Sequence, residues 1–212
     1  MRMFLTTMAL WIAGCLQPAI QADIIVEVLE EPIVLSTTFP VSLFEPIDLD
    51  GDGQTDFTFA YDSSACGLIT ERGNRVVYFI DPPPNVGGPV QRLPEGFQID
   101  LDLRDPDIGW LSLDPATIVM CFDTGCGSTW PPGSAQRGYI GLEFELADGV
   151  HYGYFDVNVS GSSPGIGIYG WGYETQSGAP IIAGAVPEPS SFMLVAAGAT
   201  AIFLSRRKKR IR

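Results

Sequence analysis

Between residues 23 and 186 apolar and polar positions alternate in short runs. In "YIGLEFEL", Ile140, Leu142, Phe144 and Leu146 alternate with Gly141, Glu143 and Glu145, a period of two that predicts a strand with one buried and one wet face. The next residues, "ADGV", carry an Asp148-Gly149 turn signal, and "HYGYFDVNV" then alternates again. Together they predict a β-hairpin. The runs "DIIVEVL", "DFTFAYD", "RVVYFI", "FQIDLDL" and "GIGIYGWGYET" have the same character, and no stretch of any length shows helical periodicity. About eight strands with turns every dozen residues or so predict an all-β fold, an antiparallel β-sandwich of jelly-roll-like type. The proline-rich pieces from Asp81 to Pro89 and around Pro131 read as loops, because strand-like sequence resumes on both sides.

The two ends break this pattern. At the N-terminus Arg2 precedes an apolar run from Phe4 to Ala13, and Ala22 is a small residue at which cleavage leaves Asp23 first. Residues 1–22 therefore read as a secretory signal peptide, handled by the Sec machinery and signal peptidase; the run is shorter than the ~20 residues of a bilayer span. The tetrad Ile12 to Cys15, "IAGC", is also similar to a lipobox, in which Cys15 would be lipidated. Either route takes the protein out of the cytoplasm. At the C-terminus an apolar run from Phe192 to Leu204 is followed by Arg206, Arg207, Lys208, Lys209, Arg210 and Arg212. Stretched by its small neighbours, that run can cross a bilayer, with the cationic cluster holding its end on the cytoplasmic side. The expected organisation is a signal peptide at 1–22, a β-sandwich domain at 23–186 and a sorting segment at 187–212 with a transmembrane part at 192–204.

Charge sharpens the picture. From Asp23 to Val186 there are 24 acidic residues against five arginines and no lysine, a formal charge of −19. Such a surface repels nucleic acid and anionic lipid and suits divalent cations or a cationic partner. One acidic stretch has ligand spacing. In "DLDGDGQTDF", Asp48, Asp50, Asp52 and Asp56 take positions 1, 3, 5 and 9 of a cation loop, Gly53 the turn position 6, and the Gln54 carbonyl position 7. Position 12 is Phe59 rather than Glu, so the loop is not a helix-flanked EF-hand. It resembles the DxDxDGxxD loops of extracellular β proteins, and the expected cofactor is a structural Ca²⁺.

Other chemistry is sparse. Three cysteines follow Ala22, and Cys121 with Cys126 is the local candidate disulfide, with Cys66 left over. His151, the single histidine, lies within a strand, with no serine or cysteine in an elbow-like setting, and reads as a packed or surface strand residue. The pairs Asp100 with Asp102 and Glu143 with Glu145 have glycosidase-like composition, but alternate strand positions of this kind form solvated faces. No catalytic residue is expected, and the chain does not read as an enzyme. Trp110, Trp130 and Trp171 are candidates for a sugar-stacking platform, which makes a carbohydrate-binding module the rival reading and a glycoside hydrolase the more distant one.

The tail carries the strongest resemblance. The triplet Pro187, Glu188, Pro189, the apolar run and the basic cluster follow one another in the order of the PEP-CTERM sorting signal of bacterial exported proteins. Upstream, "GYIGLEFE", "HYGYFDV" and "YETQSGAPIIAGAVPEP" resemble the stretch that precedes this signal in one large group of such proteins, with Tyr154 where Trp is commoner. The resemblance implies recognition and cutting by an exosortase, initial anchoring in the inner membrane, and delivery to the cell surface or an extracellular polysaccharide matrix. It implies no catalytic residues.

Overall fold

The computed structural model of the 212-residue chain describes residues 23–36, 42–61, 66–80, 89–112, 130, 136–159 and 165–187. These residues form eleven strands and no helix. They are β1 (Ile24–Leu35), β2 (Leu43–Ile47), β3 (Phe57–Tyr61), β4 (Cys66–Thr70), β5 (Arg75–Phe79), β6 (Gln98–Ile99), β7 (Ile108–Leu111), β8 (Gln136–Leu146), β9 (Gly149–Val159), β10 (Ile166–Glu174) and β11 (Ile181–Ile182). All pairings are antiparallel. A six-stranded sheet has the order β1-β10-β9-β8-β5-β7, a three-stranded sheet β2-β3-β4, and β11 pairs with β6.

The expected hairpin is present as β8 and β9, in unbroken register from Gln136 opposite Val159 to Leu146 opposite Gly149. Its loop is Ala147-Asp148, one residue earlier than the Asp148-Gly149 signal implied, since Gly149 already pairs. His151 is fully buried beside it. One ring nitrogen faces Asp148 Oδ1 and the other the Glu174 carbonyl oxygen, each at 2.8 Å. The loop is thereby tied to the end of β10, and the hydrogen bond from His151 holds the Asp148 carboxyl below its ordinary value.

The alternation in β8 does not mark a wet face. Ile140, Leu142 and Phe144 point one way, into a core shared with Phe57, Phe59 and Leu68 of the three-stranded sheet. Phe155 of β9 sits at the centre of that contact, edge-on to Phe57 at 5.6 Å and to Phe59 at 5.0 Å. The opposite face carries Val77, Tyr152 and Tyr154 and is covered by Leu93, Ile99, Leu103, Ile181 and Ala183. Close packing on that side requires a glycine in β8, for a Cβ on Gly141 would lie 2.6 Å from Val77 Cγ2 of the neighbouring strand and 3.0 Å from Leu93 Cδ1 above it. Glu143, on the same side, is buried and ion-paired with Arg75 directly opposite in β5.

"FQIDLDL" is a strand only at Gln98–Ile99. Asp100 Oδ1 accepts the amides of Asp102 and Leu103, each at 3.1 Å, and this local turn displaces strand pairing. The short strands β2, β4, β7 and β11 lie beyond the runs read from sequence. Pro46 within β2 is tolerated because β2 is an edge strand. β1 is the edge of the large sheet, and its register is interrupted between Val28 and Ile33, where Glu30, Glu31 and Pro32 fall.

Phe155 is fully buried in the contact between the sheets, and truncating a buried Phe to Ala typically costs about 3–5 kcal/mol. Phe155→Ala is expected to lower the urea midpoint by that equivalent, whereas Phe155→Leu, which refills most of the volume, should cost well under half as much. Equal losses from both would show that ring packing on Phe57 and Phe59 does not hold the layers together.

Candidate metal centre and the root of the C-terminal tail

The acidic loop runs from the end of β2 to the start of β3, and its backbone is folded by its own carboxylates. Asp48 accepts the Gly51 amide on Oδ1 and the Gly53 amide on Oδ2, both at 2.8 Å. Asp50 accepts the Asp52 amide at 3.1 Å, and Gly51 and Gly53 turn the chain with φ of 77° and 86°. Asp56 closes the loop. Its Oδ2 accepts the Leu49 amide at 2.9 Å, and the side chain is only 1% exposed.

One carboxylate oxygen from each of Asp48, Asp50 and Asp56 falls within 4.8 Å of the others. Oxygens bound to one Ca²⁺ at 2.3–2.6 Å lie at most about 5.2 Å apart, so these three fit a common ion. Asp52 does not join them. Its carboxylate accepts the Gln54 amide at 2.7 Å and the Gln54 side-chain nitrogen at 2.8 Å. Of the four aspartates expected as ligands the structure gathers three, and Asp52 accepts from the nitrogens of Gln54, whose expected ligand atom is its carbonyl oxygen.

Arg72 is the participant that spacing did not reveal. It stands in a turn that connects the two sheets, with φ of 58° followed by 82° at Gly73, and the Asn74 amide donates to the Glu71 carbonyl at 2.9 Å. The turn brings its guanidinium 3.5 Å from Asp56 Oδ1 and 3.8 Å from Asp52 Oδ2. In sequence, the cue was an arginine beside glycine and asparagine in "ERGNR", a turn signal facing no visible carboxylate. Asp50, Asp52, Arg72, Asn74 and Glu145 line an open groove of about 500 Å³ beside the loop.

The electrostatics follow from this crowding. Burial pushes the Asp56 carboxyl above its ordinary value, aided by Asp50 and Asp48 and opposed by the Leu49 amide and Arg72. For Asp48 burial acts in the same direction, but the amides of Gly53 and Gly51, with Asp50 and Asp52, outweigh it and hold the carboxyl low. The Tyr173 hydroxyl is raised by burial and then by Asp50, Asp56 and Asp48.

The remaining candidates are dispersed. Glu143 is paired with Arg75 in the core while Glu145 is exposed, and Asp100 caps a turn; none forms an opposed carboxylate pair. Trp130 is 3% exposed, and Trp171 is half-buried and stands perpendicular to Phe155 at 6.4 Å. Cys121, Cys126, the signal peptide, Cys15, Glu188, Pro189 and the basic cluster lie outside the described residues. Among the described residues no helix is long and apolar enough to cross a membrane.

The other site is where the domain passes into the tail. Ile181 and Ile182 pair with Ile99 and Gln98. The Ala183 amide donates to the Phe97 carbonyl at 2.8 Å, the Gly96 amide to the Ala183 carbonyl at 3.0 Å, and the Tyr154 hydroxyl to the Ala185 carbonyl. Gly184, at φ 79°, lies against the Tyr139 ring, where a Cβ would come within 2.7 Å of the hydroxyl oxygen. Val186 is 68% exposed and leads out to Pro187.

Residues 185–209 match the family model of the PEP-CTERM protein-sorting motif. This chain carries a PEP-CTERM sorting motif. The match begins two residues before the Pro187 boundary drawn from sequence and takes in Arg206 to Lys209 of the basic cluster. No curated protein and no solved structure matches the chain. A PEP-CTERM motif implies a protein that is exported and processed at the membrane by an exosortase.

Two predictions follow from these geometries. Asp56→Ala strips the Leu49 amide and Arg72 of their acceptor, and a buried orphaned partner costs about 1–3 kcal/mol; denaturant unfolding without added metal should show that loss. Burial, then Tyr139 and Asp156, push the Tyr154 hydroxyl up to about 12. Its folded value is raised above the ordinary 10, so its contribution is intact below pH 10 and is lost as pH rises to about 12. Alkaline unfolding should therefore be less steep over that window in Tyr154→Phe than in the parent; identical slopes would rule the contribution out.

Proposed function

We propose that this chain is an exported, exosortase-sorted protein of the cell surface or the extracellular polysaccharide matrix, with a structural rather than catalytic role. The observation that carries the reading is the sorting motif at 185–209. In this reading residues 1–22 are a signal peptide, 23–186 an antiparallel β-sandwich of jelly-roll-like type, and 187–212 the sorting segment, spanning the inner membrane at 192–204 until processing. Two features of the fold support the division. β1 starts directly after the expected cleavage point, with the Thr175 amide donating to the Asp23 carbonyl at 3.0 Å. The large sheet is covered on one face by the three-stranded sheet, as a sandwich requires.

Within this reading, Asp48, Asp50 and Asp56 would hold a Ca²⁺ ion, whose charge offsets three crowded carboxylates at the entry to β3. Both Asp48 oxygens already accept amides, yet each keeps a lone pair for the ion. The ion stiffens the loop on which the three-stranded sheet is hung.

Calorimetric titration of the full chain in detergent tests the calcium assignment. Ca²⁺ is expected to bind and raise the melting temperature, with a gain of about 2.7 kcal/mol at a hundredfold excess over Kd. The double variant Asp48→Asn, Asp50→Asn should lose both effects; a parent that takes up no heat removes calcium from the reading. Sorting is tested separately in cells that supply an exosortase. There the parent should lose its tail, while the triplet variant Pro187→Ala, Glu188→Ala, Pro189→Ala should keep it.

A further inference from the structure

The last described residues of the chain overlap the first residues of the sorting motif. The motif match starts at position 185, and the Ala185 carbonyl is the acceptor of the Tyr154 hydroxyl. Two residues earlier, Ala183 is 1% exposed and bonded through its amide to Phe97 and through its carbonyl to Gly96. The Pro187-Glu188-Pro189 triplet begins two residues after the last of these bonds.

An enzyme that cuts a peptide takes the backbone beside the scissile bond in extended form, pairing with its amides and carbonyls as with an added strand. Here the backbone just before the Pro187-Glu188-Pro189 triplet is already engaged, through the Ala183 amide and carbonyl and the Ala185 carbonyl. We propose that Ile181–Ala185 is a strap that withholds the start of the sorting motif from the exosortase, so that processing proceeds from the state in which the strap has left the sheet.

The strap is built to open locally. Its ladder is two residues long, and Ile181 and Ala183 are its buried anchors, whereas Ile182 is 42% exposed and Val186 68%. A segment held by so short a ladder opens well below the cost of global unfolding. Tyr154 is the latch. It projects from the middle of the unbroken β8–β9 register, and its buried hydroxyl donates to the Ala185 carbonyl. The folded domain thus sets the rate at which its own signal is presented.

The inference rests on reading 185–209 as a processed signal, and one experiment separates the two. The full chain is pulse-labelled in cells that supply an exosortase, and amide exchange at Ala183 and Ala185 is measured on the purified full chain. Tyr154→Phe keeps the ring and removes the latch; loss of one such bond should speed exchange and processing about fivefold. A Gly-Ser insertion between Val186 and Pro187 should leave exchange unchanged and make processing insensitive to Tyr154. Faster exchange with unchanged processing in Tyr154→Phe overturns the strap, as does unchanged exchange. A parent that is not processed at all, in cells that process another sorted protein, overturns the sorting reading and the strap with it.

Discussion

Burial of the β8–β9 hairpin on both faces is the constraint from which the rest of the architecture follows. Phe155 and Val157 need one apolar cover, and Tyr152 and Tyr154 need another. A two-stranded ribbon cannot supply either by itself. The three-stranded sheet answers the first demand through Phe57 and Phe59. The irregular chain around Leu93, Ile99 and Leu103, with Ile181 and Ala183, answers the second. Because the second cover includes the end of the domain, completing the core also fixes where the tail begins.

The charged groups sit where these covers meet. Asp56 lies at the foot of β3, its carboxylate on Leu49 and Arg72 and its carbonyl accepting the Glu71 amide at 3.0 Å and the Asn74 side chain at 3.2 Å. Asn74 in turn accepts the Glu145 amide from β8 at 3.4 Å. The acidic loop is therefore stitched to both sheets through one buried residue. Between Asp23 and Val186, where the formal charge is −19, the five arginines include three that pair with carboxylates in this way: Arg72 at the loop, Arg75 on Glu143, and Arg137 forked onto Asp156 at 2.8 and 2.7 Å.

Acidic residues outnumber arginines 24 to five between Asp23 and Val186, a balance that repels anionic partners. The chain reaches its sorting motif through Ile181–Ala185, held against Tyr139 and Tyr154.

The sequence by itself determined the all-β class, the β8–β9 hairpin and the sorting motif, because each is written in local spacing: a period of two, a turn signal, and the order of triplet, apolar run and basic cluster. It also placed Asp48, Asp50 and Asp56 in one loop, since an Asp and Gly pattern of that density folds on its own backbone amides. Only the tertiary structure decided that Glu143 is buried, since its partner Arg75 lies 68 residues away in sequence and reaches it through strand register. The same holds for Arg72 on Asp56 and for Trp130 enclosed in the core. A period of two states which residues share a face of a strand. Whether that face meets water depends on which distant segments come to cover it.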